Sequence, residues 1–420
     1  MTEVMSMSTG LADNVRRFRR AAGLSQEGLA EEADLSLSTV RKVEQGGQVS
    51  MDTLAALARA LGVSTSDLFA SETPKPTIGA EDEANRRGMA EMRRALMPPV
   101  GLSVPLSESG EAGKTPQAIL RGVQDGHALY QADRYTSVAR ALPGLLRSSE
   151  AAVAALEGEE RQQAMIARAH ALLLTGKYLT QVRQYDMAYF ALAEGIRLAR
   201  ETGRTQLATT GIVGLGWLLL RQDRFEESEQ LASRTAADVE PRMSRATAAE
   251  LAVWGELWLR VAAAARRNNR QDVADHARRM AATAGGALGR EHAEFPAHWS
   301  AFGPVTAEAK AVEDLALIGD HRGVLRRADD GPLSPKAAKN LGRLSPNNWN
   351  RHRLDVAGAH VSLGSHQDAM DELVSLRETA DVWLTHQPMA RRVMADILRT
   401  RKRTLTADMR RMAAHLGIAG

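Results

Sequence analysis

Apolar residues recur at helical spacing along most of the chain, and no segment alternates apolar and polar positions over the length of a strand. The clearest pattern is LSQEGLAEEADLSLSTVRKVE at residues 24–44. Ser25 and Ser36 are natural N-caps, so the pattern predicts two short helices that begin after them. Asp34 falls where the chain must turn, and aspartate tolerates a left-handed φ. The segment therefore predicts two helices joined by one short turn, a helix–turn–helix.

Each of these two helices has an inward and an outward face. The inward positions carry small or apolar residues, namely Leu29, Ala30, Ala33, Val40 and Val43. The outward positions of the second helix are Leu37, Ser38, Arg41 and Lys42, and Gly46-Gly47 ends that helix. The flanking residues 14–22 and 51–61 show the same helical spacing, and a capped turn follows at 64–69. The pattern predicts a compact unit of five helices.

The chain from Pro116 to its end shows six related turns, each between one helix and a second helix rich in small residues. They are Gln131–Tyr135, Arg183–Asp186, Arg221–Phe225, Asn268–Asp272, Gly319–Gly323 and Gly364–Asp368. Equivalent points lie about 40–50 residues apart, more than the ~34 of a regular tetratricopeptide repeat (TPR), which predicts longer helices or loops. Stacked hairpins can bury apolar faces that a single hairpin cannot. The predicted fold is all-α: a five-helix N-terminal domain followed by an α-solenoid of TPR-like hairpins.

Prolines mark the boundary between these two regions. The first proline is Pro74, and six prolines crowd the stretch from there to Pro116, which is typical of a linker. One helix is predicted inside the linker at 81–97, as a connector packed on the next domain or as a dimerisation or signal-transmitting helix. The predicted domains are a flexible tail at 1–10, the helix–turn–helix domain at 11–70, the linker at 71–115 and the repeat domain at 116–420.

Composition excludes several classes of function. The chain has no cysteine, which excludes disulfides, thiolate metal sites and a cysteine nucleophile. No apolar run is long enough to span a bilayer and no secretory signal is present, so we expect a soluble cytoplasmic protein. The net charge is only +3, so any attraction to DNA phosphates must come from the placement of charges. No nucleophile–base pair or phosphate cradle emerges, and we expect neither enzymatic activity nor a cofactor.

Three further segments carry residues that other functions use. His292, Glu294 and His298 offer metal-ligand types, but no pair stands at i, i+4 on one helix, so a packed loop or part of a ligand pocket are the other interpretations. The sequence NNWN at 347–350 is typical of a turn or helix cap, although its amides could also bind a peptide backbone. The basic stretch 399–403 is either the exposed face of a capping helix or a DNA contact.

The N-terminal pattern resembles the phage-repressor-like, or XRE-type, DNA-binding domain. The matching residues are Arg16–Arg20, Gly23–Gln26, Leu29-Ala30, Ser38–Val40, Glu44, Gly46 and Leu54–Phe69. The whole chain resembles actinobacterial XRE regulators with a TPR-like C-terminal region. The segments that carry this second resemblance are 133–135, 142–143, 302–304, 351–357 and 386–391. The domain order is also similar to that of Gram-positive quorum-sensing regulators, in which a repeat domain binds a signalling peptide.

The XRE resemblance implies which residues contact DNA. The candidates are Ser25, Gln26, Ser36, Leu37, Ser38, Thr39, Arg41, Lys42 and Gln45. In the family pattern Ser25 and Gln26 meet backbone phosphates. Arg41 or Lys42 would then contact guanine and Leu37 a thymine methyl. A surface ion pair of Arg41 with Glu44 or another neighbour is the alternative.

The resemblance implies a sequence-specific transcription regulator. It would bind a double-stranded operator as a homodimer, with no membrane and no metal, and its repeat domain would sense a peptide or small-molecule effector, dimerise, or both. One alternative is a DNA-bound adaptor whose solenoid recruits a protein partner without a small effector. The other is a constitutive repressor whose solenoid serves only to dimerise.

Overall fold

A computed structural model describes residues 11–12, 14–16, 18–19, 24–47, 49–61, 63, 65–68, 80–99, 114–292, 302–400 and 405–418, the side chains of 66, 67 and 80–87 excepted. Throughout these ranges the chain is helical, with one isolated antiparallel bridge between His292 and Phe302 and no strand. The all-α prediction is confirmed. Among the same residues no helix has the length and apolar character needed to cross a membrane.

The N-terminal region begins with helical residues between 11 and 19 and continues in four helices. They are α1 (Gln26–Glu32), α2 (Leu37–Glu44), α3 (Met51–Ala60) and α4 (Thr65–Leu68). The predicted caps are present, because Ser25 Oγ accepts the Gly28 N–H at 2.9 Å and Ser36 Oγ accepts the Thr39 N–H at 3.1 Å. Each cap satisfies a backbone donor that the first turn of a helix leaves unpaired.

The turn between α1 and α2 has the conformation expected from its sequence. Asp34 has a φ of 54°, and the next residue, Leu35, donates its N–H to the Ala30 carbonyl at 2.9 Å. This pair of features ends α1 and redirects the chain into α2. The two helices then bury one core, whose fully buried members include Val15, Leu29, Val40, Val43, Leu57 and Leu68.

Helix α5 (Ala80–Leu96) corresponds to the helix predicted at 81–97. Its last turns bury Met92, Ala95 and Leu96 in the core of the following helices. These contacts agree with a connecting helix packed on the next region. Pro74, Pro76 and Pro105 of the predicted linker lie outside the described residues.

The rest of the chain forms paired helices. They are α6 (Pro116–Gln131), α7 (Tyr135–Ala155), α8 (Gly158–Gln181), α9 (Tyr185–Glu201), α10 (Thr205–Arg221), α11 (Phe225–Asp238), α12 (Ala248–Arg267), α13 (Gln271–Leu288), α14 (Pro304–Leu317), α15 (His321–Arg327), α16 (Ala338–Leu341), α17 (Pro346–Ser362), α18 (His366–Thr379), α19 (Asp381–Thr385), α20 (Pro388–Thr400) and α21 (Ala407–His415). Helix α8 has 24 residues and α12 has 20, so long helices account for the long repeat spacing.

All six predicted hairpin turns contain one residue in the left-handed conformation. Four are not glycine: Asp133, Arg183, Asp223 and Asn269 have φ between 57° and 64°. Gly319 and Gly364 occupy the equivalent positions in the last two turns. Aspartate, asparagine and glycine adopt this conformation at low cost, whereas Arg183 adopts it against its intrinsic preference.

The two ends of the repeat array meet. Asp133 Oδ2, in the first hairpin turn, accepts the backbone N–H groups of Val382 at 2.9 Å and Trp383 at 3.1 Å, at the start of α19. The ring of Tyr135 lies 6.2 Å from that of His386. The array therefore surrounds an interior space.

The N-terminal region packs on one side of this array. Asp223 Oδ2, in the turn between α10 and α11, accepts the Thr65 N–H at 2.8 Å, and Arg59 donates to Asn268 in the turn between α12 and α13. Ala55 of α3 is buried together with Leu220 and Phe225. Two hairpin turns thus hold α3 and α4 in place.

Candidate DNA-binding surface and interior cavity

Helix α2 presents a polar face to solvent. Ser38, Arg41, Lys42 and Gln45 are all exposed, and the first three were expected to point outward. Hydroxyl, amide and cationic side chains such as these can hydrogen-bond to base edges and to phosphates when their helix lies in the major groove. The face therefore has the shape and chemistry expected of a recognition helix.

Leu37 does not belong to this outward face, so its expected orientation is wrong. It is half-buried and packs against the core of the N-terminal region. The cause is its spacing, since it stands three residues before buried Val40 and so extends the same apolar stripe by one turn.

Ser36 and Thr39 form the start of the recognition helix. The Ser36 hydroxyl lies 2.8 Å from those of both Ser38 and Thr39 while it caps the helix. This hydroxyl cluster is exposed at the helix N-terminus, where backbone donors and the helix dipole favour an anion.

A buried carboxylate ties the end of α2 to the start of α1. Glu44 accepts hydrogen bonds from Arg19 Nε and Gln26 Nε2, both at 2.6 Å. Burial alone would raise the pKa of Glu44, but the hydrogen bonds and charge of its partners outweigh this and lower the pKa. Gln26, a candidate phosphate contact, therefore also orients the two helices.

Arg41 forms its ion pair with Glu27 and not with Glu44. The nitrogen–oxygen distance is 3.4 Å, and both side chains are more than half exposed. Exposed pairs contribute at most ~1 kcal/mol, so this contact does not prevent Arg41 from turning towards DNA.

The repeat region encloses two adjoining cavities. The larger has a volume of about 290 Å³, and its wall includes Met51 and Thr65 of the N-terminal region. The smaller has a volume of about 110 Å³. Trp217 and Arg351 line both cavities and stand between them.

Carboxylates in the larger cavity have contrasting environments. Glu313 accepts from Lys310 at 2.7 Å and from Arg267 at 2.9 Å, and these two cations lower its pKa despite its burial. Asp355 forms no hydrogen bond with any described residue. Burial, together with the charge of Glu313, raises the pKa of Asp355 to about 7.

The other segments singled out in the sequence lie in different places. Asn347 and Asn348 form the first turn of α17 and line the smaller cavity. Glu294, His298 and residues 401–403 lie outside the described residues, and the described ones contain no group of three or more potential metal ligands. Arg399 pairs with Asp396 at 2.9 Å.

The sequence analysis missed the cavity residues Trp217, Arg260 and Arg351. A signal for one of them is present in α12, where Glu256 and Arg260 stand four residues apart in the otherwise apolar stretch 251–265. Charged residues on an apolar face are rarely buried without a partner or a role.

Residues 15–68 match a protein family described as helix-turn-helix, so this region is a helix-turn-helix DNA-binding domain. No curated protein sequence matches the chain. Among solved structures, the chain is similar to Bacillus thuringiensis PlcR in complex with the peptide PapR7 and DNA, with 14% identity and a TM-score of 0.34, over 67% of this chain and 95% of that one. It is also similar to the apo form of the competence regulator ComR from Streptococcus vestibularis, with 12% identity and a TM-score of 0.22, over 74% of this chain and 99% of that one.

Proposed function

We propose that this protein is a sequence-specific transcription regulator of the XRE type whose repeat region, 116–420, binds an effector. It acts in the cytoplasm. It binds an inverted-repeat operator as a homodimer, because one such domain covers only a half-site. The main support for effector binding is the larger cavity, whose wall contains residues of both the repeat region and the DNA-binding domain.

We assign the DNA contacts to two groups. The base-reading group is Ser38, Arg41 and Lys42, which are exposed on α2. The phosphate group is Ser25, Gln26, Ser36 and Thr39, near the starts of α1 and α2, with Gln45 at the end of α2. Leu37 contributes little to DNA contact in this assignment, because its side chain is half-buried.

Effector binding and DNA binding are coupled through the docked domain. Met51 and Thr65 border the cavity, and the Thr65 N–H also donates the hydrogen bond to Asp223 that holds α4. A ligand that prefers the docked arrangement, or the released one, changes operator affinity, and DNA changes ligand affinity by the same factor. Typical couplings are ~1–3 kcal/mol, a 5- to 150-fold change in affinity.

The DNA-reading assignment is tested with Arg41→Ala. The full chain is used to select its operator from random DNA, and the affinities of the variant for the selected site and for unrelated DNA are then measured. We expect a loss of ~1–3 kcal/mol on the selected site and relaxed preference at one base pair. Arg322→Ala, an exposed arginine on α15, is the matched control. Equal losses on both DNAs would reduce Arg41 to a phosphate contact.

The effector role is tested by measuring operator affinity with and without a small-molecule extract of the producing cells. We expect a shift of at least fivefold, since weaker coupling would hardly regulate a promoter. A shift that is the same after Asp223→Gly and after substitutions in the cavity wall would remove the repeat region from the response.

A further inference from the structure

The smaller cavity is strongly cationic. Four positively charged side chains line it, and one carboxylate, Glu256, opposes them. The cations are Lys177, Arg260, Lys310 and Arg351. A cavity with low-dielectric walls and an excess of one charge concentrates ligands of the opposite charge.

Three guanidinium groups surround one indole ring at the junction of the two cavities. The Cζ atoms of Arg351, Arg260 and Arg221 lie 4.6, 5.2 and 5.8 Å from the centre of the Trp217 ring. The ring attracts each cation, but the three cations repel one another. An anion between them would relieve that repulsion.

The carboxylates nearby offset only part of this charge, because Glu256 is the single carboxylate that faces Lys177 and Arg260 across the smaller cavity. Glu313 is already bound by Lys310 and Arg267. Arg351 has no carboxylate oxygen within 4 Å among the described residues, and it donates a hydrogen bond from Nη2 to Gln181 Oε1 at 3.2 Å. Burial and the charge of Arg221 lower the pKa of Arg351 to about 10, which leaves it protonated at neutral pH.

Two buried donors at this junction have no acceptor among the described residues. Gln181 is 3% exposed, and its Nε2 atom forms no hydrogen bond although its Oε1 accepts from Arg351. Arg221 Nη2 is likewise buried and unpaired. Buried donors without acceptors cost stability, so their persistence points to a missing acceptor.

We infer that the junction around Trp217 and Arg351 binds a small organic anion, a molecule with a carboxylate or phosphate group. Arg351 and Arg260 hold the anionic group, and Gln181 donates to it from the side. The planar guanidinium group matches both carboxylate and phosphate oxygens in a bidentate manner. This inference names the chemistry of the effector and rests on the proposed function for its regulatory meaning.

The size of the cavities limits the ligand. Binding pockets usually measure ~300–1,000 Å³, and these cavities of about 290 and 110 Å³ lie at or below the lower limit. The site therefore suits a compact metabolite-sized anion.

The test uses the full chain without DNA. Citrate and inorganic pyrophosphate are titrated while calorimetry and tryptophan fluorescence are recorded, with sodium chloride at equal ionic strength as the reference. We expect saturable binding of one or both anions and a fluorescence change that Trp217→Phe removes. The tighter anion identifies carboxylate or phosphate as the preferred group.

Arg351→Gln should weaken this binding at least tenfold, and Arg140→Gln, an exposed arginine on α7, should leave it unchanged. If thermal melting shows that Arg351→Gln is unfolded, Arg260→Gln serves in the same comparison. Binding no stronger than with chloride, or binding equal in the wild type and the folded cavity variant, would overturn the inference. An anion that binds here but leaves operator affinity unchanged would instead refute the effector role and keep the site.

Discussion

The hairpin turns at Asp133 and Asp223 use the same device in two regions of the molecule. In both turns an aspartate with a left-handed φ precedes an arginine and an aromatic residue. In both, its carboxylate accepts backbone N–H groups at the start of a short helix from a distant part of the chain. Asp133 joins the first hairpin to α19, whereas Asp223 joins the array to α4 of the DNA-binding domain.

The surroundings of the two turns differ. Asp133 accepts two N–H groups, and its neighbours Tyr130, Tyr135 and Trp383 belong to the largest buried core. Asp223 accepts the Thr65 N–H of α4, next to a small apolar contact around Ala55 and beside the larger cavity. The same motif therefore joins the ends of the array within a large apolar core in one place, and in the other it joins the DNA-binding domain to the array beside a much smaller apolar contact.

The largest effect is expected at the closure of the array. Asp133→Gly keeps the left-handed turn free of strain but leaves the N–H groups of Val382 and Trp383 without their acceptor. We expect a loss of about 2–3 kcal/mol in the free energy of unfolding, because it removes both a helix cap and buried hydrogen bonds. Urea denaturation measures it.

Asp133→Asn is the matched control for this closure. Burial raises the pKa of Asp133, so a neutral amide avoids part of the cost of burying a charge while its oxygen still accepts. We expect its stability to lie within about 1 kcal/mol of the wild type. If glycine and asparagine had equal effects, the hydrogen bonds to α19 would not be what closes the array.

Asp355 extends the comparison to an aspartate without backbone donors. Its pKa is raised to about 7 in the folded protein, against ~3.9 in an unfolded chain, so folding favours its protonated form. Its contribution to stability is present below about pH 4 and is lost as the pH rises towards 7. Asp355→Asn should therefore stabilise the protein at pH 8 and should have little effect at pH 4.

The groups that face Asp355 are Glu313, Lys310, Arg267 and Arg351, and all of them are unchanged in this variant. Thermal melting of the variant and the wild type at a series of pH values measures the difference. A difference that stays constant from pH 4 to pH 8 would contradict the raised pKa.

The smallest effect is expected at the docked domain. Asp223→Gly removes one hydrogen bond to α4 and should cost about 1 kcal/mol, mostly as local release of that helix. Amide hydrogen exchange at Thr65 should accelerate about fivefold, the equivalent of ~1 kcal/mol. Asp223→Asn should retain most of the protection. A loss of global stability as large as that of Asp133→Gly would mean that the two turns do not differ as we describe.

Local features of the fold were predictable from the sequence. Five of the six hairpin turns carry residue types that suit a left-handed φ, and the serine caps of α1 and α2 precede apolar stripes at helical spacing. Each of these features depends on only a few neighbouring residues, so a local sequence pattern is enough to predict it. The outward face of α2 was predicted in the same way, except at Leu37.

The long-range features left no such signal. The hydrogen bonds from α19 to Asp133 and from Thr65 to Asp223 join residues far apart in the chain, so no local sequence pattern predicts them. The cavity cluster of Arg221, Arg260 and Arg351 comes from three different helices. Its members share one space only after the array has closed around Trp217.

The closure at Asp133 also affects the order in which the chain can fold during synthesis. A hairpin of a repeat protein can form against its neighbours as it leaves the ribosome, because those contacts are local. The carboxylate of Asp133 can form its two hydrogen bonds only after Val382 and Trp383 have been synthesised, and these stand 249 and 250 positions later in the chain. Until then Tyr135 can pack against Tyr130 and Tyr178 but lacks its contact with His386. A nascent or C-terminally shortened chain therefore exposes apolar surface at its first hairpin turn, and we expect chaperones to bind it there.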